Sequence, residues 1–166
     1  MIRKVNPQDA SDLCAIYNPY VQNTIVTFEE TPVSEDQMRD RIRAQGNQFP
    51  WLVFEEQKSV LAYAYASSWK ERSAYRFTVE TTVYVHPDAR GRGCGSALYH
   101  TLLPTLQAQG FHRAVACLAL PNEDSQRLHE KFGFKQVATF SEVGFKFGRW
   151  LAIGYWELSL GEIAGL

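Results

Sequence analysis

Long apolar runs are missing from this 166-residue sequence, and with them any stretch of membrane-spanning length. The amino terminus, Met1-Ile2-Arg3-Lys4-Val5-Asn6-Pro7, runs straight into polar residues and lacks the apolar segment of a signal peptide. Cysteine is scarce. Cys14, Cys94 and Cys117 are an odd set without close pairing, which argues against a disulfide framework, and no Cys/His spacing resembles a zinc site. Neither sign of charge predominates: 17 Lys and Arg stand against 18 Asp and Glu, so no overall field gathers nucleic acid or an anionic membrane. Linkers, repeats and low-complexity segments are lacking as well. The expectation is one domain over residues 1–166, in a reduced cytoplasm, with a small-molecule partner and no metal, nucleic acid or membrane.

What is present suffices for a full core, with 45% hydrophobic residues and 13% aromatics. Ile2 to Val5 reads as a short strand. Asn6-Pro7-Gln8-Asp9 then supplies a cap, a proline at the first helical position and an acidic first turn, ahead of Ala10, Leu13, Ile16, Tyr17 and Tyr20 at helical spacing. Pro19 should kink or end that helix. Ser34 and Gln37 form a capping box before Met38 and Ile42, with Gly46 as the stop. Trp51 to Phe54 and Val60 to Ala66 read as an antiparallel hairpin. In the strand Thr78 to Val85, alternation puts Glu80, Thr82 and Tyr84 on one face and Val79, Thr81, Val83 and Val85 on the other.

A glycine cluster follows that strand, and Ala97, Leu98, Leu102 and Leu106 mark a helix ending near Gly110 that Pro104 should bend. Ala114 to Leu120 is a buried strand. Asn122 caps a short helix through Phe132, which Gly133 and Phe134 close in a Schellman stop. Strands near Phe134 to Phe140 and Trp150 to Leu158 finish the chain. This order argues a three-layer α+β domain, with a mixed sheet of about six to seven strands flanked by about four helices.

The most informative stretch is Val83-Tyr84-Val85-His86-Pro87-Asp88-Ala89-Arg90-Gly91-Arg92-Gly93-Cys94-Gly95-Ser96, where a strand leads through three alternate glycines into a helix. Such a turn binds anions, because glycine lets a ligand approach the backbone and consecutive N–H groups converge at the positive end of the helix. Arg90 and Arg92 add charge. A Walker loop would need Gly-Lys-Ser/Thr, and a dinucleotide turn would need glycine at Ser96 and an acidic residue near Val115; both are absent.

Arg90-x-x-Gly93-x-Gly95 after Val83-Tyr84-Val85-His86-Pro87, followed by Asn122, Ser125, Lys131, Gly133 and Phe134, resembles the GNAT superfamily of N-acetyltransferases across nearly the whole chain. The resemblance implies a fold splayed between the strand ending near Val85 and the one starting near Ala114, with acetyl-CoA as co-substrate. Its pyrophosphate would lie on Arg90, Gly91, Arg92, Gly93, Cys94, Gly95 and Ser96, and its pantetheine arm along Val83, Tyr84 and Val85. Asn122 would hydrogen-bond that arm, and Ser125 is a further candidate.

Amide formation on an amine requires a base, a polarised thioester carbonyl and a proton for the departing sulfur. Glu80 is the candidate base: it is an acidic residue in an otherwise apolar and hydroxylated strand, where partial burial raises a carboxyl pKa. Six steps of ~3.3 Å separate it from His86 by ~20 Å, comparable to an extended arm reaching from the phosphate turn. The backbone N–H of Val85 would polarise the thioester oxygen. His129 stands where the resembling family commonly has a tyrosine that protonates the thiolate; it could do that work, bind substrate, act as base or simply cap its helix. His86, His100 and His112 read as structural.

Trp69-Lys70-x-Arg72-x-Ala74-Tyr75 with Thr78-Val79-Glu80-x-Thr82-Val83-Tyr84-Val85 resembles the phosphinothricin and methionine sulfoximine acetyltransferase subfamily. Thr27-Phe28, His129 and Gly144-x-Lys146-Phe147-Gly148-Arg149-Trp150 point the same way. That resemblance implies a homodimer and an acceptor with a tetrahedral phosphinate, sulfoximine or sulfone, surrounded by Phe28, Lys70, Arg72, Tyr75 and Tyr84. A protein N-terminus or lysine as acceptor, and a non-catalytic acyl-CoA sensor, are the competing readings.

Overall fold

The computed structural model describes residues 1–45 and 47–161. Its seven strands are β1 (Ile2–Lys4), β2 (Trp51–Glu56), β3 (Ser59–Ser68), β4 (Thr78–Val85), β5 (Arg113–Leu120), β6 (Lys135–Lys146) and β7 (Arg149–Ser159). They form one mixed sheet in the order β1-β2-β3-β4-β5-β7-β6. The helices are α1 (Ala10–Asn23), α2 (Glu35–Gln45), α3 (Cys94–Ala108) and α4 (Glu123–Lys131). Apolar side chains of α1 and α2 bury against one face of the sheet, around Val53 and Tyr63, while Leu98, Leu102 and Leu106 of α3 bury against the other, around Ala62, Ala64 and Ala116. The three-layer α+β expectation is met.

Local signals account for most boundaries. Asn6 Oδ1 accepts from the Gln8 N–H, and Asp9 returns a bond to the Asn6 N–H, so a short 3₁₀ turn over Pro7–Asp9 leads into α1. The Ser34–Gln37 box forms in both directions. Its expected stop, Gly46, lies outside the described residues. The hairpin between β2 and β3 turns on Gln57 and Lys58, both at positive φ. Gly133 adopts φ 87° after α4, with the Phe134 N–H returning to the His129 carbonyl.

Two expectations change. Pro19 lies inside α1 without ending it, and Pro104 lies inside α3, where a bend rather than a stop was expected. The carbonyls each proline leaves unpaired belong to Ala15 and His100, exposed residues whose side of the helix is open to water. The last hairpin is longer than its apolar segments suggest: β6 runs on to Lys146 through a register shift between Phe140 and Gly144, with Glu142 at positive φ.

The feature that positions the site is the junction of β4 and β5. These parallel strands pair only at Thr78 with Arg113, Val79 with Ala114 and Glu80 with Val115. Beyond Glu80 they part, although β4 stays paired with β3 to Val85 and β5 with β7 to Leu120. The splay implied by the resemblance is present, and it opens at Glu80.

Candidate active site

Past the splay, one edge of β4 has no strand beside it. The His86 N–H donates to the Leu61 carbonyl on the β3 side, so by strand alternation the N–H groups of Val83 and Val85 face the gap. The Val85 carbonyl also faces the gap, where the Tyr20 hydroxyl of α1 donates to it at 2.6 Å.

Two cavities meet along this edge. A smaller one of about 290 Å³ surrounds Glu80, Thr82, Tyr84, Tyr65, Phe28 and Cys117. A larger one of about 810 Å³ extends over Val85, Arg90, Gly91, Gly93, Gly95 and Ser96. They share Val26, Val83, Tyr84, Asn122 and Ser125 and so form one groove from Glu80 to the glycine turn.

At the turn, Gly91 and Gly93 sit at φ 72° and 82°, a conformation glycine adopts without strain. Gly93 precedes α3 with no side-chain cap, which leaves the first N–H groups of the helix without internal acceptors. Gly95 is closely packed: a Cβ there would lie 3.2 Å from Leu128, tight enough that this side chain would have to shift, and in ordinary contact with Val83 and Val85. The Arg90 guanidinium lies over the Tyr20 ring, 5.0 Å from its centroid. Exposed amides, helix dipole and a braced guanidinium together suit a diphosphate, so the residues present fit acetyl-CoA.

Most of the predicted groups meet here. Val83, Tyr84, Val85, Arg90, Gly91, Gly93, Cys94, Gly95, Ser96, Asn122 and Ser125 border the larger cavity. Arg92 does not; it pairs with Glu56. Asn122 spends its side-chain oxygen on the Ser125 N–H as a helix cap. Phe28 and Tyr84 wall the smaller cavity, whereas Lys70, Arg72 and Tyr75 are exposed on the loop leading into β4 and form none of that wall.

Glu80 is partly buried, and desolvation raises its carboxyl pKa while the Lys70 charge opposes the rise. His129 is 1% exposed. Its Nδ1 lies 2.7 Å from the Ser125 carbonyl, which can only accept, so Nδ1 carries the proton; Nε2 lies 2.9 Å from the Tyr99 hydroxyl, which also bonds Thr81 Oγ1 at 3.2 Å. Burial lowers its pKa and keeps the ring neutral. His129 therefore borders the groove with both nitrogens engaged. Ser125 Oγ lies 3.4 Å from Nδ1, between the ring and the junction of the two cavities.

Sequence reasoning missed Tyr20 and Tyr65. Tyr65 was within reach, since the β3–β4 register sets it opposite Thr82 on the Glu80 face. Tyr20 looked like one more apolar residue of α1. Tyr20→Phe keeps the ring under Arg90 but removes the bond to Val85, and calorimetric titration should show acetyl-CoA bound about two- to tenfold more weakly, the factor carried by one net hydrogen bond. Equal affinity would remove Tyr20 from the site.

Comparison with known proteins agrees with this geometry. Residues 2–152 match the acetyltransferase (GNAT) domain family. Phosphinothricin N-acetyltransferase of Streptomyces viridochromogenes is 39% identical over 156 residues, covering 94% of this chain and 85% of the relative. L-methionine sulfoximine/L-methionine sulfone acetyltransferase of Pseudomonas paraeruginosa is 37% identical, covering 96% of this chain and 94% of the relative. A GNAT superfamily phosphinothricin acetyltransferase from Sinorhizobium meliloti, solved in complex with AcCoA, superposes with a TM-score of 0.94 at 37% identity, covering 100% of this chain and 91% of that one. With the splayed sheet and the glycine turn already in place, these matches identify the chain as a member of the GNAT acetyltransferase family.

Proposed function

We propose that this protein transfers the acetyl group of acetyl-CoA to the α-amine of an amino-acid analogue such as phosphinothricin, methionine sulfoximine or methionine sulfone. The observation that carries this reading is the single groove joining the glycine turn to Glu80. When bound, acetyl-CoA supplies the activated acyl thioester. The amides at the start of α3, with Arg90, hold its diphosphate, and the Val83 and Val85 N–H groups hold its arm in the gap. The acyl oxygen needs a backbone donor of β4, and Val83, which borders both cavities, suits that role better than the expected Val85, which borders only the larger one.

Glu80 takes the proton of the amine, directly or through water, from the partly buried end of the groove. Phe28, Tyr65 and Tyr84 wall a space large enough for a free amino acid. In this reading Lys70 and Arg72 meet the anionic groups of the acceptor at the cavity mouth, with Tyr75 beside them. His129 serves as a positioning residue, because its fixed tautomer has no proton free for the departing sulfur and its bond to the Ser125 carbonyl steadies the helix at the junction of the cavities. We also propose a homodimer, since Phe140, Val143, Phe145, Phe147 and Trp150 of the β6–β7 hairpin are exposed large hydrophobic side chains of the kind a partner surface covers.

Four measurements check this reading. Glu80→Gln should lower turnover at pH 7 by about a hundredfold or more and recover partly at higher pH, where more of the amine is already neutral. The same substitution has a stability signature. Because burial raises the folded-state pKa of Glu80, its contribution is complete below the unfolded value and is lost as pH rises through the folded one. Glu80→Gln should therefore melt higher than the parent at pH 7, with the gain gone near about pH 4. Thiol release across phosphinothricin, methionine sulfoximine, methionine sulfone, common amino acids and a peptide should give the highest kcat/KM for one of the analogues; a preference for the peptide would overturn the acceptor assignment. Sedimentation equilibrium should return twice the chain mass, and a monomer at micromolar concentration would refute the dimer.

A further inference from the structure

The acceptor end of the groove depends on a segment with no regular structure of its own. Val26, Thr27 and Phe28 line the smaller cavity between the end of α1 and the start of α2. Two restraints come from nearby in the chain: Tyr17 Oη lies 2.7 Å from Thr27 Oγ1, and Glu29 pairs with Arg41 at 2.8 Å.

Two more come from the far end of the sequence. Lys146, at the end of β6 and only 2% exposed, donates from Nζ to the Thr27 carbonyl at 2.7 Å. Burial lowers its pKa, with Glu30 and Glu29 opposing. A buried lysine is an expensive way to fill space, and an apolar side chain would be cheaper unless the donor is needed. Gly144 stands two residues earlier. Its φ is not in the positive region, so the backbone does not require glycine, yet a Cβ there would fall 2.2 to 2.7 Å from three atoms of the Phe28 ring. The register shift between Phe140 and Gly144 ends where Gly144 pairs with Leu151, which fixes both residues against the segment.

We infer that Gly144 and Lys146 form a latch by which β6 sets the position of the acceptor-binding segment Val26–Phe28, and so act as positioning residues for acceptor specificity. This accounts for the Gly144-x-Lys146 part of the C-terminal motif, which the acetyl-CoA site does not use. It rests on the reading that the smaller cavity receives the acceptor.

The test pairs kinetics with a measurement that needs no acceptor. In Gly144→Ala and Lys146→Met, hydrogen exchange should quicken at residues 24–30 and stay unchanged in α3. With the acceptor preferred in the panel, KM for that acceptor should rise about tenfold or more, as a displaced positioning group demands, while KM for acetyl-CoA stays within about twofold. Unchanged exchange at 24–30 overturns the latch. So does an unaltered acceptor KM, or a parallel rise of both KM values, which marks general loosening. If the parent protein acetylates no amine, the functional assignment fails, and the exchange result still decides whether the latch exists.

Discussion

Everything in this molecule turns on a hydrogen-bonding debt at the middle of the sheet. Parallel pairing between β4 and β5 ends at Glu80 and Val115, yet β4 continues to Val85 with its backbone N–H groups turned toward the gap. Unpaired backbone groups inside a protein need partners. One is built in, since Tyr20 satisfies the Val85 carbonyl. The others are left for an extended ligand that can behave as a strand.

The rest of the site follows from where that gap begins and ends. Glu80 stands at its closed end because it belongs to the last pair before the strands part. The glycine turn stands at its open end because β4 must leave the sheet there to enter α3. In the proposed reading, a ligand anchored by its diphosphate at the helix terminus and extended along β4 lays its reactive end beside the carboxylate. The same helix contributes to the core on one face, with Leu98, Leu102 and Leu106 buried, so the proposed anion site is held by a helix anchored in the core.

Much of this was legible in the sequence. Thr78 to Val85 announced itself by alternation, and the glycines after it by spacing. The Asn6, Ser34 and Asn122 caps were readable because a cap is a short-range hydrogen bond between neighbours in the chain. What escaped reading is long-range. Tyr20 reaches the site through a carbonyl 65 positions away and the Arg90 guanidinium over its ring. Nothing local in Thr27 or Lys146 reveals that they meet across 119 positions. His129 borders the groove, but the Tyr99 and Ser125 contacts at its nitrogens depend on how α3 and α4 pack. That α1 continues past Pro19 has a related reason, since the cost of an internal proline depends on whether the orphaned carbonyl meets water.

The central claim is geometric, and a crystal structure with acetyl-CoA addresses it most directly. The account predicts the diphosphate on the amides of residues 93–96, the pantetheine arm along the free edge of Val83–Val85, and the acyl carbon beyond Val83 at the smaller cavity, with Glu80 facing it. Acetyl-CoA bound with its arm outside the gap between β4 and β5, or with its diphosphate away from the start of α3, would contradict it.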